Sequence, residues 1–144
     1  MKEYTVKSKE ETKEIATSIA RKIGVGNAIL LTGTLGAGKT FFTSCLINEI
    51  LKNQGLNEVD VQSPTFSILK TYKTNSFPIH HFDLYRIKKA EELYELDIEN
   101  CLENGLCIIE WPEAAESILY NIWAEIDIKV LKNENRLFRI KYNI

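Results

Sequence analysis

Gly33-Thr34-Leu35-Gly36-Ala37-Gly38-Lys39-Thr40 is the most informative segment of this sequence. It fits the phosphate-binding loop pattern, in which a glycine is followed by any four residues and then by Gly-Lys-Thr. The apolar run at 28–31 predicts a buried parallel strand before the loop, and the helical spacing of apolar residues over 41–51 predicts a helix after it. A loop between a strand and a helix is the context in which this pattern binds phosphate, whereas a glycine-rich turn that fits by chance is the alternative.

The residue types of this loop suit a nucleotide with its metal ion. Glycines let the backbone turn tightly and bring N–H groups to the phosphates, and the following helix N-terminus favours negative charge. Lys39 would reach the β- and γ-phosphates, and the Thr40 hydroxyl would hold Mg²⁺. We therefore expect ATP or ADP to bind through 33–41. The predicted contacts are Gly33, Leu35, Gly36, Ala37, Gly38, Lys39, Thr40 and Phe41.

Length, charge and cysteine content limit the class of protein. A chain of 144 residues predicts one domain, 1–144, with a single core. Its net charge of −2 gives no support to a large nucleic-acid surface. The three cysteines lack metal-ligand spacing, which predicts reduced core residues of a cytoplasmic protein. The charged N-terminus predicts no signal peptide, and no apolar run is long enough to cross a membrane.

The periodicity of apolar residues predicts alternating strands and helices. Predicted strands lie at 3–7, 28–32, 59–61, 66–72, 78–82, 106–109, 123–131 and 136–142. Predicted helices run from a capping box at Ser8 to Gly24, over 39–52, over 90–102 with a break near Asp97, and over 112–119. This order is typical of an α/β protein, and we expect a three-layer domain of the P-loop NTPase type. Its sheet should be mixed and mostly parallel, with a C-terminal antiparallel hairpin.

Two acidic residues follow predicted buried strands. Asp83 comes after 78–82, and Glu110 comes after 106–109. Open α/β sheets bind ligands at the carboxyl ends of their strands, and a nucleotide hydrolase needs an acid near Mg²⁺ and a group that orients water. Each acid alone could be a surface residue at a strand end. Two of them beside a phosphate loop favour a function for at least one.

The signatures of other phosphate-loop proteins are missing. The chain has no Asn-Lys-x-Asp stretch to read guanine and no Asp-x-x-Gly at switch spacing. The arginines are scattered at Arg21, Arg86, Arg136 and Arg139, without the cluster typical of a kinase lid. ATP hydrolysis is therefore favoured over GTP switching. A small-molecule kinase and a nucleotide-controlled binding module stay open as alternatives.

Four motifs stand in a characteristic order along the chain. They are Gly-x-Leu-Gly-Ala-Gly-Lys-Thr at 33–40, Ser63-Pro64-Thr65-Phe66, His81-x-Asp83-Leu84-Tyr85-Arg86 and Glu110-Trp111. Together they resemble the TsaE family, also called YjeE, which are bacterial ATPases of tRNA threonylcarbamoyladenosine synthesis. The first motif is generic, and the other three at this spacing are specific. Thr34 stands where an acid is common in the family, and Phe41 stands where a small hydroxyl residue is common.

The resemblance implies a role for each candidate site residue. Thr40 and Glu110 would hold Mg²⁺. Asp83 would act in hydrolysis, at the metal or at the attacking water. Thr65 would belong to a switch-like segment that senses the γ-phosphate. Lys39 would meet the phosphates that react.

The resemblance also places residues around these. Thr12 matches a first-helix position near the base, and Arg136 matches a basic position near the nucleotide. Trp111 could be a core residue, a wall of the site or a partner contact. His80 and His81 are interpreted as structural or exposed strand residues and not as catalytic bases.

Family resemblance implies partners as well. TsaE acts with TsaB and TsaD, which transfer threonylcarbamoyl to an adenosine next to the anticodon. The ATPase would support turnover of that complex, so that tRNA is met indirectly, through the complex. We expect weak ATP hydrolysis by the isolated chain.

Overall fold

The structure is a computed structural model that describes residues 1–89 and 91–143. Its strands are β1 (Lys2–Val6), β2 (Ala28–Thr32), β3 (Leu69–Tyr72), β4 (Ile79–Asp83), β5 (Leu106–Glu110), β6 (Ile122–Val130) and β7 (Arg136–Tyr142). Its α-helices are α1 (Lys9–Ala20), α2 (Lys39–Asn53), α3 (Glu91–Tyr94) and α4 (Ile98–Asn104). Short 3-10 helices cover Pro112–Ala115 and Lys132–Glu134.

The strands form one seven-stranded sheet in the order β1-β7-β6-β2-β5-β4-β3. Its centre, β6-β2-β5-β4, is parallel. The strands at both edges, β3 on one side and β7 with β1 on the other, pair antiparallel. Because parallel strands end at the same edge, this centre brings the carboxyl ends of β2, β4 and β5 together. The predicted mixed sheet and C-terminal hairpin are confirmed.

The two faces of the sheet bury two separate apolar clusters. Ile29 and Ile108 face the layer formed by α1 and α2. Leu30 and Ile109 face the layer formed by α3 and α4. Alternate residues of a strand point to opposite faces, so a strand buried on both sides is apolar throughout. These clusters give the three layers that the element order predicts.

The first helix starts as predicted and ends earlier. Ser8 caps α1 because its Oγ accepts a hydrogen bond from the backbone N–H of Glu11 at 3.2 Å. The Glu11 carboxylate reaches back to the N–H of Lys7 at 2.7 Å, one residue before the usual partner in a capping box. The helix ends at Ala20 and not at Gly24. Just after Ala20 the chain turns, and the Lys22 N–H donates to the carbonyl of Ile19.

Tertiary contacts overturn one predicted strand. No strand forms at 59–61, since the side chain of Asn48 on α2 takes both hydrogen bonds of Val59. Asn48 Oδ1 accepts from the Val59 N–H at 2.8 Å, and Asn48 Nδ2 donates to the Val59 carbonyl at 3.0 Å. A backbone that is satisfied by a neighbouring side chain needs no strand partner.

Two other predicted elements are shorter than expected. The strand predicted over 66–72 begins only at Leu69, because a turn with Ile68 at φ 70° precedes it. The helix predicted over 112–119 is reduced to the 3-10 turn Pro112–Ala115, after which Ile118 and Leu119 both bond to the carbonyl of Ala115.

The helix predicted over 90–102 is broken where the sequence suggested. Asp97, at φ 52°, separates α3 from α4. Ala90, the first residue of that prediction, lies outside the described residues. Within residues 1–89 and 91–143, none of the helices combines the length and the apolar character needed to cross a membrane.

Candidate functional site

The phosphate loop joins the end of β2 to the start of α2. Gly33 has φ 143°, and a Cβ at this position would lie 2.5 Å from the carbonyl oxygen of Ile128 on β6. Gly36 and Gly38 also have positive φ, at 77° and 111°. Side chains rarely tolerate these conformations, so the glycines let the loop turn back on itself. Gly38 is the N-cap of α2 and offers no side-chain cap, which leaves the first N–H groups of the helix for an anion.

Lys39 is held at the loop by two contacts. Its Nζ donates to the carbonyl of Gly33 at 2.5 Å and lies 3.7 Å from the centroid of the Trp111 ring. The residue is only 5% exposed. Burial lowers the pKa of Lys39 below its ordinary value, and the carboxylates of Glu110 and Asp83 oppose that shift. The lysine therefore lies at the loop and lines the same cavity as the two predicted acids.

Glu110 ends β5 beside the start of α2. Its Oε2 lies 3.4 Å from the Thr40 hydroxyl and 2.5 Å from Nε2 of His81. Glu110 is buried. The structure thus brings together the two residues predicted to hold Mg²⁺.

Asp83 ends the neighbouring strand, β4, in register with Glu110. Its Oδ2 accepts hydrogen bonds from Ser63 Oγ at 2.8 Å and from Thr65 Oγ1 at 3.0 Å. Its Oδ1 accepts from the backbone N–H of Tyr85 at 3.0 Å. Asp83 therefore anchors the segment that contains Thr65, in addition to facing the site.

One cavity of about 320 Å³ collects these groups. Its lining consists of Leu35, Gly36, Gly38, Lys39, Thr40, Phe41, Ser63, Thr65, Asp83, Glu110 and Trp111. Ala37 is fully buried and Gly33 faces Lys39 through its carbonyl, so these two predicted contacts do not line the cavity.

A second cavity, of about 380 Å³, adjoins the first at Gly38 and Phe41. Thr12 of α1 and Arg136 of β7 both line it. The Nε of Arg136 donates to the carbonyl of Ala37 at 2.9 Å, which ties the hairpin to the phosphate loop. Thr12 and Arg136 therefore lie beside the phosphate loop, in a cavity that Asp83 and Glu110 do not line.

Sequence reasoning missed the roles of two members of the site. Ser63 is a partner of Asp83, and His81 is a partner of Glu110. His81 and Asp83 are two residues apart on β4 and so share one face, which is the signal that could have indicated the role of His81. Of the three roles that the sequence left open for Trp111, the structure shows a wall of the cavity: its ring packs against Tyr85 at a tilt of 53°, with centroids 4.8 Å apart, and covers the Lys39 ammonium.

The residues present suit a magnesium nucleotide. Within the described part of the chain, no group of three or more His, Cys, Asp and Glu side chains could hold a metal. The site offers the oxygens of Thr40, Glu110 and Asp83, and Mg²⁺ is often bound by one or two carboxylates together with substrate phosphates and water. This donor set fits an ion that arrives with a nucleotide.

The sequence matches the model of a known protein family. The family model described as "Threonylcarbamoyl adenosine biosynthesis protein TsaE" matches residues 6–139. The chain belongs to the TsaE family. The TsaE protein of Rickettsia typhi is 42% identical over 138 residues, which cover 96% of this chain and 93% of that protein. The TsaE protein of Bacillus subtilis is 36% identical over 127 residues, which cover 88% of this chain and 77% of that protein.

A solved structure of similar fold supports the architecture. The crystal structure of YdiB from Bacillus subtilis superposes with a TM-score of 0.71 at 28% sequence identity. The match covers 98% of this chain and 84% of that chain. The fold of this TsaE family member is thus that of a P-loop NTPase, as the sequence predicts.

Proposed function

We propose that this chain binds and hydrolyses ATP with Mg²⁺ and thereby supports turnover of the complex that makes threonylcarbamoyladenosine in tRNA. One observation carries the proposal. The phosphate loop, the Thr40 hydroxyl and the carboxylates of Glu110 and Asp83 meet in one cavity at the carboxyl ends of β2, β4 and β5. Membership of the TsaE family supplies the pathway, because the family is described by its part in threonylcarbamoyl adenosine biosynthesis.

The two adjoining cavities suit the two ends of ATP. The loop offers backbone N–H groups and Lys39 to the phosphates. Thr12 and Arg136 line the second cavity, which is large enough for the nucleoside end. Because Arg136 already bonds to the carbonyl of Ala37, it would act on the nucleotide partly by fixing the shape of the loop.

The residues around the reacting phosphate have different proposed roles. Thr40 and Glu110 would hold Mg²⁺, which offsets the charge on the transferred phosphoryl group. Asp83 would act in hydrolysis, either through the metal or by accepting a hydrogen bond from the attacking water. A nucleotide γ-phosphate would compete with Asp83 for the hydroxyl of Thr65, since that hydroxyl now donates to Oδ2 of Asp83 at 3.0 Å.

The proposed partners are TsaB and TsaD, and the proposed contact with tRNA runs through their complex. A net charge of −2 agrees with a role that does not centre on a grip on tRNA. The exposed side chains around the cavity, Leu35 and Tyr85, offer apolar surface to a partner that would complete the site.

The deciding experiment is an ATPase assay of the purified chain, alone and with TsaB and TsaD. We expect slow phosphate release alone, a marked increase with both partners, and dependence on Mg²⁺. Release without any added acceptor would separate a hydrolase from a small-molecule kinase. Lys39→Ala serves as the inactive control, and Lys129→Ala, at an exposed position of β6, serves as the matched lysine control. Absence of nucleotide-dependent phosphate release under all conditions would refute the proposal.

A further inference from the structure

Adjacent histidines on β4 have different surroundings. His80 lies on the side of α4, where Nδ1 bonds to the Thr71 hydroxyl at 2.9 Å and Nε2 bonds to Oδ1 of Asn104 at 2.8 Å. His81 lies on the side of α2 and is 0% exposed. Its Nε2 is 2.5 Å from Oε2 of Glu110, and its buried Nδ1 has no hydrogen-bond partner among the residues that the structure describes. The fold satisfies both nitrogens of His80, whereas His81 has Glu110 as its partner.

This geometry selects one form of the His81 ring. A carboxylate can only accept hydrogen bonds, so the proton of the short contact lies on Nε2. A second proton on Nδ1 would leave a buried N–H donor without an acceptor, which is costly. The ring therefore carries a proton on Nε2 and donates it to Glu110.

The hydrogen bond also settles which partner Glu110 takes. Among the carboxylates around Lys39, Glu110 makes the largest contribution to raising the pKa of its ammonium, against the effect of burial. Even so, Nζ bonds to the carbonyl of Gly33, and Glu110 has no ion pair with Lys39 among the described residues. His81 occupies Oε2 and holds the carboxylate beside the Thr40 hydroxyl, which leaves the lysine available for phosphate.

We propose that His81 is a positioning residue that fixes the Glu110 carboxylate through its Nε2–H, so that the site takes Mg²⁺ at a lower concentration than it otherwise would. The proposal rests on the proposed function, in which Glu110 holds the metal. Hydrogen-bond partners of metal ligands orient those ligands, and their loss typically weakens metal affinity by about 10- to 100-fold. His81 touches neither nucleotide nor metal in this scheme and acts through Glu110.

Three variants separate positioning from packing. His81→Leu removes the donor and keeps an apolar side chain in the core. His81→Gln keeps an N–H donor at about the reach of Nε2. His80→Leu is the matched control, since it removes a buried histidine of the same strand on the opposite face. The readouts are the Mg²⁺ concentration for half-maximal ATP hydrolysis with TsaB and TsaD, and Mn²⁺ affinity of the ADP-bound protein by electron paramagnetic resonance.

We expect His81→Leu to raise the half-maximal Mg²⁺ concentration and the Mn²⁺ dissociation constant by about tenfold or more, and His81→Gln to recover most of the loss. His80→Leu should lower the melting temperature and leave both values unchanged. If folded His81→Leu has wild-type metal dependence, or if His80→Leu shifts it equally, His81 is a packing residue and the proposal is overturned.

A measurement on the metal-free wild type tests the hydrogen bond itself and does not depend on folding of any variant. Long-range ¹H–¹⁵N correlation spectra should show a proton on Nε2 of His81. An Nε2 without a proton could not donate to Glu110 and would overturn the proposal. Failure of the wild type to hydrolyse ATP would refute the proposed function instead, and the Mn²⁺ affinities and the tautomer would still decide the role of His81.

Discussion

Lys39 makes two contacts in this structure that a bound nucleotide would have to replace. Its ammonium bonds to the Gly33 carbonyl and lies over the ring of Trp111. Burial lowers the pKa of Lys39, whereas the negative charges of Glu110 and Asp83 raise it by stabilising the ammonium. The phosphates of a nucleotide would stabilise the ammonium in the same way. Trp111 thus keeps the lysine at the loop without neutralising it.

The charge on Lys39 therefore leads to the first prediction. Lys39→Ala should weaken ATP binding by about tenfold or more, since hydrogen bonds to charged groups contribute about 1.5–3 kcal/mol. Titration calorimetry measures the affinity, and Lys129→Ala controls for the loss of one positive charge. Wild-type affinity in Lys39→Ala would show that the loop is not the nucleotide site.

Gly33 provides a second prediction at the level of a single residue. Its φ is 143°, and an added Cβ would lie 2.5 Å from the Ile128 carbonyl oxygen, so Gly33→Ala forces the loop away from β6. We expect a loss of about 1–3 kcal/mol in the free energy of unfolding, the usual cost of a strained backbone position. Urea denaturation measures it. Gly24→Ala is the control, because a Cβ there meets no atom within 4 Å. Equal unfolding midpoints for the two variants would contradict the argument.

At the scale of the elements, the sequence predicts those that local pattern determines. The strand, loop and helix around 33–40 and the hairpin at 133–135 carry strong local signals, and both are confirmed. The strand expected at 59–61 fails because Asn48, on another element, binds the backbone of Val59. No property of 59–61 itself indicates that contact.

The candidate site divides in the same way. Asp83 and Glu110 could be placed side by side from sequence because each follows a buried strand of a parallel sheet, and their register agrees with that placement. The bond of Asp83 to Ser63 depends on how a loop packs against β4, so the sequence does not indicate it. The alternation of β4 places His81 on the same face as Asp83, but its bond to Glu110 depends on how β4 and β5 pair.

The anchoring of a loop by β4 leads to a prediction for Asp83. Asp83→Asn keeps the shape of the side chain and removes its charge. We expect turnover in the assembled complex to fall by about a hundredfold or more, which is typical when a group that handles the reacting proton is lost. Circular dichroism should show an intact fold. Unchanged turnover would show that Asp83 only holds the segment 63–65 in place. Ser63→Ala removes one of the hydrogen bonds to Asp83 and is the control for loosening of that segment alone.

On the surface of the molecule, exposed apolar side chains lie near the opening of the cavity that holds the phosphate loop. Phe66 is 86% exposed and lies next to the Thr65 hydroxyl that Asp83 holds, and the Arg86 guanidinium lies 5.5 Å from its ring. Leu35 and Tyr85 are exposed near the same opening. A change in the hydrogen bonds of Thr65 would therefore move exposed side chains at a surface that a partner can contact.

We expect the affinity of the chain for its partners to depend on whether ATP or ADP is bound. In this structure Thr65 donates to Asp83, and a γ-phosphate or its Mg²⁺ would compete for the same hydroxyl, so 63–66 should take different positions with ATP and with ADP. Thr65→Ala should leave ADP affinity nearly unchanged and reduce the difference in TsaB–TsaD affinity between the two states. The measurement is partner affinity with a non-hydrolysable ATP analogue and with ADP, and Thr5→Ala, at an exposed position of β1, is the control. A ligand shifts an equilibrium only by its differential affinity for two states. If the wild type binds its partners equally in both nucleotide states, the segment is not a switch and Thr65 serves only to close the turn beside Asp83.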